Sequence, residues 1–150
     1  MFITYELEEG AKVPCRAHSS DAGLDLYANE DKSLSNTHPV HIHTGVHMLI
    51  PAGCVGLICP RSGLTRQGKV AEIGVVDAGF TGEICVTMRY EMKGVDEWNG
   101  KLQRAGAEIE RGDRIAQLVV LPVEMVNLMP GDVMNADTER GSSGFGSTGK

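Results

Sequence analysis

Five short stretches of this sequence combine residue types that handle phosphate, water or a flat ring. In SSDAGLDLYA, Asp21 and Asp25 bracket Gly23. A carboxylate at Asp25 suits a hydrated magnesium ion, and it equally suits an ordinary solvent-facing strand position. In PRSGL at 60–64 a guanidinium and a hydroxyl stand directly before a glycine. Together they offer an oxyanion a charge, a hydroxyl and free backbone N–H groups, although the same residues also make a plain turn. In GVVDAGFTGEI at 74–84 an apolar strand runs into Asp77, a tight Ala-Gly, Phe80 and a further glycine. A hairpin of this kind presents backbone donors and acceptors to a planar base, with Phe80 as a wall and Asp77 able to act as general base on a water. Alone, it also reads as a hairpin with its usual turn Asp. Gln117, a neutral polar group inside the apolar run IAQLVVL, must find a partner in backbone or ligand.

The fifth stretch, RGSSGFGSTGK at 140–150, has the Gly and Ser content of a flexible linker, yet it carries Arg140, Phe145 and a Ser-Thr pair. Gly144 to Lys150 imitates the G-x-x-x-x-G-K of a phosphate-cradling loop. That loop works between a strand and a helix and needs a Ser or Thr after the Lys; neither is offered, so the reading is rejected. His38, His41, His43 and His47 invite a metal reading, since His41 and His43 would share a strand face. No third ligand is placed with them, and Val40 and Ile42 account for the alternation as core on the other side.

The elements that must position these residues are strands. Period-two alternation places Met1, Ile3, Tyr5 and Leu7 on one face, Leu24, Leu26 and Ala28 on another, and Val46, Met48 and Ile50 on a third. Further strands are expected over 53–59, 82–90 and 114–123, with turn signals at DAG, PAG, ERGD and PGD. Helical pattern is scarce: one turn at 62–69 and a doubtful one at 100–110, where 93–110 otherwise reads as a hairpin excursion or loop. The pattern suits a sandwich, jelly roll or small barrel.

A chain of 150 residues is most simply one domain. Its net charge of −6 argues against nucleic-acid or membrane-surface partners, which need a basic face. Cys15, Cys54, Cys59 and Cys85 contain no C-x-x-C pair. With no signal-peptide pattern and no apolar run of membrane-spanning length, they are expected to be free, small buried groups in a soluble, cytoplasmic protein, or one of the host cell interior if viral.

In order, DAGLDLYA, PRSGL, GVVDAGFTGEI, RGDRIAQL and RGSSGFGSTG resemble the five motifs of the trimeric deoxyuridine triphosphate nucleotidohydrolases, the dUTPases, from about residue 21 to the C-terminus. The resemblance implies an all-β distorted jelly roll, the dUTPase-like β-clip, assembled as a homotrimer with a swapped C-terminal arm. Residues 1–139 would form the β core, and 140–150 a glycine-rich lid over an active site shared between subunits. The implied reaction is hydrolysis of dUTP to dUMP and pyrophosphate with Mg2+ as cofactor. Asp77 would be the base acting on the water that attacks the α-phosphorus, and Asp25 would hold magnesium through water. Arg61, Ser62, Gly63 and Gln117 would hold the phosphate chain. From the tail, Arg140, Ser147 and Thr148 would meet the γ-phosphate, with Gly146 beside them and Phe145 stacked on uracil. Main-chain groups from Ala71 to Val76, Val75 among them, would read uracil, and Phe80 would pack under the deoxyribose.

This chain departs from the family at two of these positions. Phe80 stands where the family usually has Tyr, keeping the wall and losing a hydroxyl. Ala71 stands where many relatives carry Asn, which leaves uracil to main-chain groups. Residues 93–110 match no shared motif and would be an insertion used for a protein partner. A dCTP deaminase of the same fold is the alternative enzyme and would need Glu72 or Glu83 beside the C4 amino group. A dUTP-switched regulatory protein is the alternative of a different class.

Overall fold

Short alternating runs bounded by glycine and proline can bury only one face each, so they pair antiparallel and stack on a common core. The structure, a computed structural model, describes residues 1–91, 97–98, 101–102, 106–139 and 141–142, the two dipeptides by backbone alone. The largest sheet runs in the order β2 (Leu24–Tyr27), β13 (Arg114–Pro122), β6 (Cys54–Cys59) and β8 (Gly74–Val76). A second has β9 (Val86–Tyr90) between β4 (Val40–Ile42) and β7 (Lys69–Ala71). Pairs are formed by β1 (Thr4–Leu7) with β5 (Val46–Leu49), β3 (Lys32–Leu34) with β12 (Ala107–Ile109), and β10 (Glu97–Trp98) with β11 (Lys101–Leu102). The one helix among the described residues, α1 (Ser62–Arg66), lies where a helical turn is expected. No helix among them is long and apolar enough to cross a membrane. The fold is all-β.

Leu26, Ile42, Val46, Val86, Met88 and Leu118 from different sheets form the centre of one core. Val46, Met48 and Ile50 are all buried, as their alternation requires. Four expectations are corrected. The strand expected over 82–90 begins only at Val86, because Glu83 is tied instead to the turn at Thr44 and Gly45. GVVDAGFTGEI is no hairpin: β8 pairs with β6, whereas β9 pairs with β4 and β7, so the DAGF turn carries the chain from one sheet to the other. The doubtful helix at 100–110 is replaced by strand at 101–102 and 107–109, the latter closing on β3. The cysteines are free, but Cys54 alone is buried; Cys15 is exposed and its Sγ lies 3.1 Å from the Tyr27 hydroxyl.

Beyond Pro122 the chain leaves the sheets. Met125, Val126, Leu128, Met129, Val133 and Met134 are each at least 77% exposed along 123–139, an arm that is left uncovered by the described residues.

Candidate active site

The register of the largest sheet assembles one half of the site. Gln117 of β13 lies directly opposite Asp25 of β2 on one side and Cys59 of β6 on the other. Directly opposed residues in an antiparallel ladder point to the same face, so Asp25 and Gln117 project together, and Arg61, two residues beyond Cys59, follows them. They line a cavity of about 430 Å3 with Asp21, Gly23, Ser62 and Gly63. Leu24, Leu26 and Leu118 meanwhile face away, toward the core.

Asp25 is not a solvent-facing strand residue. Its side chain is only 12% exposed, because Arg61 Nε lies 3.0 Å from one carboxylate oxygen and Arg114 Nη1 lies 3.3 Å from the other. Arg61 also donates to the Arg114 carbonyl at 3.1 Å. Gln117 donates to the Pro60 carbonyl at 3.2 Å, which answers what partner this half-buried amide finds. Gly23 makes this possible, since a Cβ there would lie 2.5 Å from Gln117 Oε1. At the cavity edge Asp21 accepts the His18 backbone N–H, which holds its carboxyl below the ordinary value.

Arg114 is the residue beside Asp25 that was missed in the sequence. Simple alternation puts positions 114 and 117 on opposite faces. A β-bulge between Arg114 and Ala116 shifts the register, buries both Ile115 and Ala116, and returns Arg114 to the side of Asp25.

The other half lies elsewhere. β8 is the edge of its sheet and β7 the edge of another, and these consecutive strands, linked by Glu72 and Ile73, do not pair with each other. β8 therefore keeps one row of backbone donors and acceptors unused by strand pairing. A cavity of about 370 Å3 runs beside it, lined by Val75, Val76, Asp77, Phe80, Glu83 and Cys85 among others. Ala71 and Val76 are buried and Val75 is exposed, so the first two have only main-chain groups to offer a ligand. Asp77 is exposed and also borders a separate cavity at the root of the arm, beside Val123 and Met125.

Within one chain the two halves do not meet. Val76 is level with Gly56, so Asp77 is level with Val55, and the six residues from there to Arg61 span about 20 Å of extended chain. Arg140, Phe145, Gly146, Ser147 and Thr148 lie outside the described residues.

Phe80 depends on Gly82. A Cβ at position 82 would sit 2.4 Å from the Phe80 ring, so Gly82→Ala is expected to push the ring from its place. For the activity that the resemblance implies, kcat/KM for dUTP is expected to fall about tenfold, the equivalent of 1.4 kcal/mol, and preference for dUTP over UTP to narrow. Parallel kinetics on both nucleotides check this, and unchanged discrimination would remove the ring's role.

The glutamates a deaminase would need are committed. Glu72 accepts from Arg89 Nη1 at 2.9 Å. Glu83 Oε1 accepts the N–H groups of Thr44 and Gly45 at 3.0 and 2.7 Å, and Oε2 lies 2.7 Å from His43 Nδ1. Burial pulls the Glu83 carboxyl upward, but the bonds from His43 and Gly45 outweigh it and hold the group below its ordinary value. His43 is raised in turn by Glu83, while burial and then Glu83 push the Cys85 thiol up to about 11. His43 thus has two further ligand-type neighbours, Glu83 and Cys85, where none was expected from the sequence.

A cavity that pairs guanidiniums with a carboxylate, and a strand edge flanked by an aromatic ring and an exposed carboxylate, are the fittings of an all-β nucleotide hydrolase. The dUTPase family model matches residues 9–149, and the chain belongs to that family. The deoxyuridine 5'-triphosphate nucleotidohydrolase of Mycobacterium tuberculosis is 42% identical over 150 residues, covering 95% of this chain and 91% of the relative. A mutant dUTPase of Staphylococcus bacteriophage 80alpha, solved with dUpNHpp, superposes with a TM-score of 0.85 at 30% identity over 99% of both chains. A mutant dUTPase of phage phi11 of S. aureus, whose structure reveals the coordination of a structural Mg(II) ion, superposes at 0.77 with 28% identity, over 88% of this chain and 97% of that one.

Proposed function

We propose that this chain hydrolyses dUTP to dUMP and pyrophosphate by attack of water on the α-phosphorus, keeping uracil out of DNA and supplying dUMP for dTMP synthesis. The observation that carries this reading is the register placing Asp25, Gln117 and Arg61 on one face, together with a separate cavity in which the free edge of β8 is flanked by Asp77 and Phe80.

Arg61, Ser62, Gly63 and Gln117 bind the triphosphate. The two first-turn N–H groups of α1 have no partner within the helix and are available to it. Uracil lies against the edge of β8, where fixed main-chain donors and acceptors reject the reversed pattern of cytosine. Phe80 supports the deoxyribose, and Asp77 takes the proton of the attacking water. This work is positioning and charge neutralisation rather than covalent catalysis.

Magnesium fits the phosphate cavity. Each oxygen of Asp25 already has a guanidinium against it, so the carboxylate suits a hydrated ion held through its waters better than one stripped of them. When bound, Mg2+ would neutralise charge across the phosphate oxygens.

The separation of the two halves supports a site completed between subunits, and the uncovered apolar arm supports a homotrimer in which 123–139 crosses to a neighbour. Residues 140–150 would then close over the neighbour's site as a lid. The enzyme would work in the cytoplasm or in an infected host cell.

The test is pyrophosphate release from dUTP, dCTP, dTTP and UTP with Mg2+. Rapid release from dUTP alone is expected. Ammonia from dCTP, or no release from any of the four, would overturn the assignment.

A further inference from the structure

The β4–β9 ladder ends with Ile42 opposite Val86. Just beyond it the His43 ring meets both the Cys85 thiol and the Glu83 carboxylate. The result is a nitrogen, an oxygen and a sulfur ligand at one place, drawn from two segments 40 residues apart.

We propose that His43, Glu83 and Cys85 form a site for a divalent transition-metal ion of borderline softness, zinc above all. Their ligand atoms lie within 4.8 Å of one another, with His43 Nδ1 2.7 Å from Glu83 Oε2 and 3.8 Å from Cys85 Sγ. Tetrahedral zinc, with bonds of about 2.0–2.3 Å, sets its ligand atoms roughly 3.5 Å apart, so small side-chain movements close the set around an ion. The carboxylate is already aimed: Thr44 and Gly45 hold Oε1 and leave Oε2 toward the other two ligands. Glu30, which accepts the His43 N–H at 3.0 Å, adds negative charge beside the site, partly offset by Lys32.

The His43 side chain is 58% exposed, which gives an ion a path from solvent and leaves a fourth position for water. A thiolate and an imidazole favour zinc over magnesium, so the site selects a different ion from the Asp25 cavity, with which it shares no residue. As the metal–sulfur bond forms, the Cys85 thiol gives its proton to solvent.

Cobalt(II) reports the site directly, through thiolate-to-metal charge-transfer absorption that zinc then abolishes by displacement. With the metal-stripped full chain we expect one equivalent of cobalt per chain. The band should be lost in Cys85→Ser, and affinity should be weakened roughly tenfold or more in His43→Ala. His43 is exposed, so its replacement spares the core, and circular dichroism confirms the fold of each variant. Asp25→Asn should leave the titration unchanged, which distinguishes this site from the phosphate cavity. No band in the wild type, a band persisting in Cys85→Ser, or equal affinity in His43→Ala would each overturn the proposal.

Discussion

Asp77→Asn is expected to lower dUTP turnover by about 10^2–10^4-fold, the range that a positioned general base contributes. The amide has nearly the carboxylate's shape and can still orient a water, but it cannot accept that water's proton as the oxygen attacks phosphorus. Asp77 follows directly on β8 and its side chain is exposed, so the substitution breaks no core contact and should leave the thermal midpoint close to wild type. Nucleotide affinity should also change little, because the phosphate half of the site is carried by Arg61, Ser62, Gly63 and Gln117 in a separate cavity. Single-turnover hydrolysis, measured alongside equilibrium binding of a non-hydrolysable analogue, separates the two effects. A variant retaining more than about a tenth of wild-type turnover would show that another group takes the proton.

How far such residues can be found without a structure depends on how local their placement is. Asp25 was legible because period two sets it against Leu24 and Leu26, and Gln117 because a lone polar group in an apolar run demands a partner; the ordered motifs then named their neighbours. Arg114 was not, because the bulge that turns it toward Asp25 is a property of how β13 pairs with β2, and nothing in RGDRIAQL announces it. Asp25 stood open in the sequence between a magnesium-binding and a solvent-facing position, because its cover by two guanidiniums is tertiary. His43 lacked partners in the sequence because Glu83 and Cys85 reach it only through the tertiary fold, just beyond the end of the β4–β9 ladder. The GVVDAGFTGEI stretch misled for the opposite reason. Its turn residues are those of a hairpin, while the competing pairings of β8 with β6 and of β9 with β4 and β7 send its two limbs to different sheets. That outcome leaves β8 with the free edge on which the proposed uracil recognition rests.

Mixing two dead variants is expected to restore activity. If Asp77 of one subunit serves the phosphate cavity of another, then Asp77→Asn and Arg61→Ala damage different contributions to each site. Subunits exchanged at equal ratio through mild denaturation and refolding would assemble at random. Roughly a quarter of the sites would then receive an intact Asp77 from one chain and an intact Arg61 from another. Since each variant alone should fall at least about 10^2-fold, a return to about one quarter of wild-type activity is a large and unambiguous signal. Arg61 suits the pairing because it is one-quarter exposed and lines the cavity rather than the core, although its loss leaves Asp25 with Arg114 as the one guanidinium partner among the described residues. The same exchange distinguishes the alternatives by arithmetic. A site built within a single chain gives no recovery at any mixing ratio, because every chain then carries one lesion in its own site. The roughly 20 Å of strand between the Asp77 level and Arg61 argues that no chain closes its own site, and the exposed arm from Met125 to Met134 shows how much apolar surface is left for a neighbour to cover.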